Sequence, residues 1–164
     1  MSGVSGDDAG EVPRWLDEDE MAAWLPLIRV VQELPQAIDR RLREEAGITH
    51  TYYAMLANLA AAPDRRLTMG ELARLTTTSP SRLTHAVAVL EERGWVTKRS
   101  CPSDRRSQYA VLTDEGRALL ERIAPGHVAQ VRELVFDRLT RAQVHALADV
   151  AAALVAPADV LGAG

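Results

Sequence analysis

Residues 68–113 carry two short helical patterns followed by two β-type patterns, and few folds place these elements in that order. Thr68 and Glu71 have the spacing of a capping box, in which each side chain accepts a hydrogen bond from a backbone N–H at a helix start. Three consecutive threonines at 76–78 predict the end of that helix, because β-branched hydroxyl residues compete with the helical backbone for hydrogen bonds. A tight turn is therefore expected directly after them.

Ser79 and Pro80 predict the start of a second helix, since serine is a favoured cap and proline at the first helical position loses only an N–H that would be unpaired. Apolar residues recur along it at spacings of three and four: Leu83, Ala86, Val87 and Leu90. One face should therefore lie in a core, while Ser81, Arg82 and His85 face away. Gly94 predicts the end of the helix.

Two β-type segments, 95–99 and 108–113, follow the second helix. The polar or turn-forming residues 100–107 separate them and predict a hairpin, or wing. Its loop carries Asp104, Arg105 and Arg106, and its stem adds Lys98 and Arg99. A solvated loop whose charges only keep it soluble is the alternative interpretation. Helix, turn, helix and hairpin together predict a winged helix-turn-helix, which makes DNA the expected partner.

The winged segment is basic although the chain is acidic overall. The 164 residues have a formal net charge of −4, which is unfavourable for contact with phosphates. Residues 79–107, however, carry six basic and three acidic side chains, whereas residues 1–48 carry five basic and eleven acidic ones. The segment expected to face DNA is thus the most basic part of the chain, and this asymmetry helps to orient association.

Composition indicates one globular domain with a substantial core, since 47% of the residues are hydrophobic and 26% are charged. No apolar run is long enough to span a bilayer and the N-terminus is acidic, so we expect a cytoplasmic protein. A single cysteine, Cys101, fits a reducing compartment. The sequence has no phosphate-binding glycine loop, zinc-protease motif or nucleophile elbow, so we expect neither an enzyme nor a cofactor.

Amphipathic helices are expected on both sides of the winged segment. A long one runs from Asp17 to about residue 46, with Asp17 and Glu20 at its start and with kinks or a break at Pro26 and Pro35. A second helix begins at Thr49 and closes before residue 63.

After the wing, Thr113 is expected to cap a long helix that is interrupted at Pro125. Thr140 and Gln143 form a capping box for a last helix. The apolar stripe of that last helix is Val144, Leu147, Val150, Ala151 and Leu154. Such long terminal arms could bury their apolar faces only on each other or on a second chain, so we predict an isologous homodimer.

The expected fold class is mainly α with a small β-hairpin. A winged helix-turn-helix DNA-binding lobe at 49–113 lies between N- and C-terminal dimerisation helices at 15–46 and 114–156. Residues 15–156 should form a single domain, preceded by a disordered tail at 1–14 and followed by a flexible tail at 157–164.

This order of elements resembles the MarR family of bacterial transcription regulators over residues 15–154. The most specific motif is Asp104-Arg105-Arg106 in the wing, followed by Leu112-Thr113 and Asp114-Glu115-Gly116. The resemblance implies a homodimeric regulator, a repressor, that places its second winged-segment helix in the major groove and a wing arginine in the minor groove of a pseudo-palindromic operator. A small aromatic or phenolic ligand would release it.

On this resemblance the DNA-binding residues are Ser79, Ser81, Arg82, Thr84, His85, Arg105 and Arg106. Asp104 would brace the wing by pairing with a nearby arginine, so one of the two wing arginines has a structural role. Thr77 stands where the family commonly has a glycine, and His85 stands where it commonly has a basic residue. The histidine weakens attraction to phosphate at neutral pH but keeps a donor and an acceptor for base edges.

The resemblance also implies a crevice for small aromatic acids between the dimer arms and the DNA lobe. Its candidate residues are Trp24, His50 and Tyr53, with Arg14 or Arg29 for a carboxylate. Aromatic residues at helical spacing are otherwise core residues, which is the alternative interpretation for this group.

Two other functions stay open. Cys101 could make the protein a redox-sensing regulator, but a reactive thiol usually needs a partner and there is no second cysteine. A winged-helix module that binds only protein is consistent with the acidic charge and with His85. The histidines, His50, His85, His127 and His145, lack the spacing of metal ligands, so no metal site is expected.

Overall fold

The computed structural model describes residues 13–100 and 108–155. Its helices are α1 (Glu18–Ala46), α2 (His50–Ala61), α3 (Met69–Leu75), α4 (Pro80–Glu92), α5 (Asp114–Leu134) and α6 (Arg141–Val155). Its strands are β1 (Arg66–Thr68), β2 (Val96–Ser100) and β3 (Gln108–Leu112), and 3-10 turns lie at Pro63–Arg65 and Phe136–Arg138. The chain divides between Glu33 and Leu34 into two compact units.

The N-terminal unit contains the start of α1 and a largely exposed apolar surface. Asp17 Oδ1 accepts a hydrogen bond from the backbone N–H of Glu20 at 2.8 Å, and Glu20 Oε2 accepts one from the N–H of Asp17 at 3.0 Å. This reciprocal pairing confirms the predicted helix start. The large apolar side chains that are at least 41% exposed are Trp15, Leu16, Met21, Trp24, Leu25, Leu27, Val30 and Val31.

Prolines lie inside α1 and α5 without ending either helix. The expected interruption at Pro125 does not occur, and neither does a break at Pro26 or Pro35, so these predictions were wrong, whereas the alternative of kinks at Pro26 and Pro35 stays a prediction. Each proline leaves the carbonyl four residues earlier without its helical donor, and these carbonyls belong to Ala22, Val31 and Glu121. All three residues are exposed, so water can supply the missing hydrogen bond and the helix continues.

The core lies in the second unit, which begins at Leu34, and nearly every element of that unit contributes to it. Its side chains with at most 4% exposure include Leu42, Ile48, Met55, Leu56, Leu59, Leu72, Leu83, Val87, Leu90, Val96, Ala110, Leu112, Leu119 and Ile123. Leu83, Ala86, Val87 and Leu90 are all buried, which confirms the predicted apolar face of α4. Burial of that face leaves the opposite side of α4 exposed to solvent.

The wing is part of a three-stranded antiparallel sheet with the order β1-β3-β2. β2 and β3 form the predicted hairpin, with Thr97 opposite Val111. β1 was not predicted; it pairs with the other edge of β3 and places Leu67 opposite Ala110. The third strand ties the β3 edge of the hairpin to the segment that precedes α3.

The C-terminal helix α6 leaves its apolar stripe uncovered. Gln143 N–H donates to Thr140 Oγ1 at 3.3 Å and Thr140 N–H donates to Gln143 Oε1 at 2.9 Å, which confirms the predicted capping box. Leu147, Val150 and Leu154 are 43%, 57% and 53% exposed, and no residue of α6 is buried. A helix of this kind needs a partner surface.

None of the helices within residues 13–100 and 108–155 is both long and apolar enough to cross a membrane.

The turn between α3 and α4 contains a strained residue. Thr77 has a φ of +48°, a left-handed conformation that β-branched residues rarely adopt. Its N–H donates to the carbonyl of Arg74 at 3.3 Å, and the next N–H, of Thr78, donates to the carbonyl of Ala73 at 2.9 Å. These bonds hold the turn closed, so Thr77 keeps its conformation at a cost of about 1 kcal/mol.

Thr77→Gly is expected to raise the free energy of unfolding by about 1 kcal/mol, because glycine adopts a positive φ without a Cβ clash. Thr78→Gly is the control: Thr78 does not have a positive φ, and its hydroxyl donates to the carbonyl of Thr76 at 3.0 Å. That change should destabilise the protein. Urea unfolding of the three proteins measures both effects, and a Thr77→Gly protein less stable than the native one would contradict strain in the turn.

Candidate nucleic-acid interface

The helix-turn-helix is held in place by a cap at its start and by core residues in both helices. Glu71 N–H donates to Thr68 Oγ1 at 3.2 Å, and Thr68 N–H donates to Glu71 Oε2 at 2.8 Å, which is the predicted capping box. Hydrogen bonds from the Thr68 hydroxyl and N–H lower the pKa of Glu71. Leu72 and Leu83 are buried in the common core, so α3 and α4 have a fixed relation.

The exposed side of α4 presents the residues predicted to contact DNA: Ser79, Ser81, Arg82, Thr84 and His85. The Thr84 hydroxyl donates to the carbonyl of Pro80 at 2.9 Å, so its proton is already used. Ser79 has the extended backbone of an N-cap, but its side chain makes no capping hydrogen bond, contrary to expectation. Pro80 lacks an N–H, and the Ser79 hydroxyl remains available to a ligand.

Arg82 and His85 carry the hydrogen-bonding capacity of this face. Among the residues that the structure describes, no carboxylate forms an ion pair with either side chain. An unpaired guanidinium on an exposed helix face is suited to a phosphate or to a guanine edge, because it offers several donors in one plane.

The two basic residues of the wing stem differ in whether their charge is free, because Lys98 is paired and Arg99 is exposed. Lys98 Nζ lies 3.1 Å from Glu91 Oε2, and the Lys98 N–H donates to Glu91 Oε1 at 3.0 Å. These two bonds lower the pKa of Glu91, and they couple the stem to α4. Lys98 therefore serves the packing of the wing rather than offering a free charge, whereas Arg99 is exposed.

The tip of the wing lies outside the described residues. It holds four residues of the predictions: Cys101, Asp104, Arg105 and Arg106. The roles of the arginines, the brace and the thiol therefore stay predictions.

A cleft lies beside α4, between the start of α2 and the turn of the helix-turn-helix. It has a volume of about 500 Å³ and is lined by Thr49, Thr51, Tyr52, Thr76, Thr77, Thr78, Ser81, Arg82, His85 and Ala86. We call it the threonine cleft. It shares Ser81, Arg82 and His85 with the exposed face of α4, so it belongs to the same surface.

Two of the predicted effector residues lie together in the second unit. His50 and Tyr53 have ring centroids 6.4 Å apart, and His127 of α5 lies 5.6 Å from His50 and 4.1 Å from Tyr53. Asp39 Oδ1 accepts a hydrogen bond from the backbone N–H of His50 at 2.6 Å. Arg14, Trp24 and Arg29 belong to the N-terminal unit, where Arg14 pairs with Glu20 and Arg29 with Glu33.

The ring cluster of His50, Tyr53 and His127 contains polar atoms in an apolar setting. Burial, and secondarily the charge of His50, lowers the pKa of His127, while burial raises the pKa of Tyr53. His127 Nδ1 is buried and has no hydrogen-bond partner among the described residues, and the same is true of Gln130 Oε1, one turn along α5. Gln130 Oε1 can therefore still accept a hydrogen bond, and His127 Nδ1 can accept or donate one according to its protonation.

Comparison with known proteins places this arrangement in a family. Residues 46–107 match the MarR family. The chain is 47% identical to a MarR family transcriptional regulator from Streptomyces coelicolor solved in complex with DNA, covering 88% of this chain and 90% of that one with a TM-score of 0.85. The chain belongs to the MarR family of transcriptional regulators.

Two further transcription regulators extend the comparison. AbsC, a MarR family transcriptional regulator from Streptomyces coelicolor, is 35% identical over 88% of this chain and 96% of its own, with a TM-score of 0.82. The transcriptional repressor YetL from Bacillus subtilis is 26% identical over 116 residues, 71% of this chain and 69% of its own. The likeness therefore extends well beyond the residues of the family match.

The family motif after the wing has a structural basis in this MarR-family chain. Thr113 Oγ1 donates to the carbonyl of Gly94 at 2.7 Å and accepts from the N–H of Gly116 at 3.0 Å. Asp114 forms an ion pair with Arg65 at 2.8 Å, which lowers the pKa of that carboxyl. The motif thus fastens the base of the wing to α5 and to the segment before β1.

The sequence analysis of this MarR-family chain did not identify His127 of the ring cluster or the threonine cleft as candidate site features. His127 had no spacing that would relate it to His50, and the threonine cleft combines residues from α2 and from the turn. Neither group has a sequence signal, because both depend on tertiary packing. No group of three or more His, Cys, Asp or Glu side chains suited to a metal ion occurs in residues 13–100 and 108–155.

Proposed function

We propose that this MarR-family protein is a homodimeric DNA-binding transcription regulator, a repressor that binds a pseudo-palindromic operator. The observation that carries the proposal is the exposed face of α4, where Arg82 and His85 have no carboxylate partner among the described residues while the opposite face is buried. The S. coelicolor regulator solved with DNA supports the choice of ligand. α4 would lie in the major groove and the wing beside the minor groove.

A homodimer would place two copies of α4 on one face of the duplex. The uncovered apolar stripe of α6 supports this assembly, and so does the exposed apolar surface of the N-terminal unit. Two symmetric reading helices would contact half-sites about 10 bp apart, which is one turn of DNA. A pseudo-palindromic operator follows from that symmetry.

A small aromatic or phenolic ligand is proposed to lower operator affinity. The ring cluster of His50, Tyr53 and His127 supports this part, since a ring could stack there and hydrogen-bond to the buried His127 Nδ1. Arg14, Trp24 and Arg29 are the further residues proposed for this site. Linkage requires that such a ligand bind free protein more tightly than DNA-bound protein, and equal affinities would refute the coupling.

DNA binding is tested with fragments from upstream of the protein's own gene, by fluorescence anisotropy at several salt concentrations. Arg105→Ala combined with Arg106→Ala is expected to weaken binding to all fragments by about twentyfold and to flatten the salt dependence by about one to two counterions. Arg82→Ala should instead lose about tenfold on the preferred fragment and little on others, because it removes a base contact.

Matched controls separate these effects from loss of folding. Arg74→Ala removes an exposed arginine from α3, outside α4 and the wing, and should retain native affinity and salt dependence. A native protein that fails to bind any upstream fragment would overturn the proposal. A fall in affinity that Arg74→Ala shares equally would mean that overall charge, rather than this face, governs binding.

A further inference from the structure

The threonine cleft has a lining suited to an anion. Seven of its ten lining residues carry a hydroxyl, two carry a guanidinium or an imidazole, and none is Asp or Glu. Asp39 is the carboxylate that meets the start of α2, where it accepts a hydrogen bond from the N–H of His50, but it does not line the cleft. A space lined in this way attracts negative charge and offers donors to it.

Several donors in the cleft are not used by the fold. The Thr76 hydroxyl donates to the carbonyl of Leu72 at 2.7 Å, and the Thr78 hydroxyl donates to the carbonyl of Thr76 at 3.0 Å. Thr49 Oγ1 accepts from the N–H of Tyr52 at 3.3 Å. The hydroxyls of Thr51, Thr77 and Ser81 have no such role among the described residues, and neither does the guanidinium of Arg82.

We propose that the threonine cleft binds a phosphoryl group through Arg82 and the hydroxyls of Thr51, Thr77 and Ser81. A guanidinium with neighbouring hydroxyls matches the tetrahedral oxygens of a phosphoryl group, which accept several hydrogen bonds at once. The volume of about 500 Å³ exceeds that of the bare ion and lies in the range of small-ligand sites, so a sugar attached to the phosphoryl group also fits.

Two sources can supply this chemistry. One is a phosphate of the operator backbone, in which case the site deepens the proposed function by adding a contact from α2 and the turn, and Arg82→Ala then weakens binding to all fragments rather than mainly to the preferred one. The other is a free sugar or nucleoside phosphate. Because Arg82 belongs both to the cleft and to the exposed face of α4, a free phosphoryl ligand would compete with DNA for the same guanidinium.

The free source is tested with the full-length protein by isothermal titration with ribose 5-phosphate, using ribose as the control that lacks the phosphoryl group. The variant is Thr51→Val combined with Thr77→Gly, which removes two exposed hydroxyls. Thr97→Val, on β2 and outside the cleft, is the matched control for loss of a hydroxyl. Melting temperatures of all proteins confirm that each is folded.

If free phosphates use the cleft, ribose 5-phosphate binds the native and Thr97→Val proteins, ribose does not, and the double variant binds it about tenfold more weakly. Ribose 5-phosphate should then also displace DNA. The calorimetric titration itself requires no DNA, so it tests the cleft even if the proposed DNA-binding function fails.

If the backbone supplies the phosphate, ribose 5-phosphate does not bind measurably, but the double variant loses about tenfold in DNA affinity across all fragments. The salt slope should then change little, because the variant removes neutral hydroxyls and leaves the charge of Arg82 in place. The proposal is overturned if the double variant matches the Thr97→Val protein in both arms.

Discussion

Gly116→Ala is expected to lower the free energy of unfolding by about 3 kcal/mol, at the upper end of the effect of inserting one methyl group into a packed site. A Cβ at this position would collide with the carbonyl oxygen of Trp95 and would lie 2.8 Å from Leu112 Cδ1. The first of these is a backbone atom, which cannot move aside as a flexible side chain does. Urea or thermal unfolding measures the loss.

The same contact explains why this glycine matters to the wing. The Trp95 carbonyl accepts a hydrogen bond from the N–H of Thr113 at 3.0 Å, and Gly116 N–H donates to Thr113 Oγ1 at 3.0 Å. Relief of the collision must therefore disturb the junction at which the hairpin meets α5. Because the hairpin is anchored at this junction, its disturbance should also weaken DNA binding.

Gly70→Ala is the matched control for this prediction. A Cβ on Gly70 would meet nothing within 4 Å, and the residue is exposed near the start of α3. Alanine there should stabilise the protein by up to about 1 kcal/mol, since it favours the helical backbone. Equal stabilities of the Gly116→Ala and native proteins would show that the junction is looser than the contact distances imply.

Local signals in the sequence were sufficient to predict the helix-turn-helix. The capping box of Thr68 and Glu71, the Ser79-Pro80 restart and the apolar spacing on α4 each act within a few residues, so they can be read directly. The hairpin was predictable for the same reason. Both of its strand segments are rich in β-branched and aromatic residues, and they flank a segment of polar and turn-forming residues.

Features that depend on distant partners could not be predicted in this way. β1 has only three residues, and it is a strand because β3 pairs with it. His127 meets His50 and Tyr53 only after α2 and α5 pack together. The threonine cleft is likewise a product of packing. The helix was predicted to be interrupted at Pro125 because proline removes one helical hydrogen bond. The helix continues because water can bond to the exposed carbonyl that loses its donor.

The residues predicted to bind DNA form an intermediate case. The apolar pattern of α4 determined which side chains face outward, and the structure leaves Ser79, Ser81, Arg82, Thr84 and His85 exposed. It could not reveal that the Thr84 hydroxyl is bonded to Pro80 or that Lys98 is paired with Glu91. Exposure follows from periodicity, whereas the availability of a donor depends on its neighbours.

Val150→Glu combined with Leu154→Glu is expected to convert the proposed dimer into a monomer and to reduce operator affinity by more than about 100-fold. Both side chains are more than half exposed on α6 in the single chain, so the isolated subunit tolerates the carboxylates. In a dimer the same carboxylates would be buried against an apolar partner, at a cost of several kcal/mol. Sedimentation velocity at micromolar concentration reports the assembly.

The control carries the same added charge on the other side of the helix. Ala142 and Ala152 are exposed and lie away from the stripe of Leu147, Val150 and Leu154, so Ala142→Glu with Ala152→Glu should remain dimeric and bind the operator normally. Affinity falls steeply on loss of the dimer because the second half-site is then bound as an independent event rather than at a high effective concentration. If the Val150→Glu and Leu154→Glu protein still sediments as a dimer, the subunit interface lies elsewhere. If it is a monomer that binds the operator with native affinity, one copy of α4 and its wing is sufficient for binding.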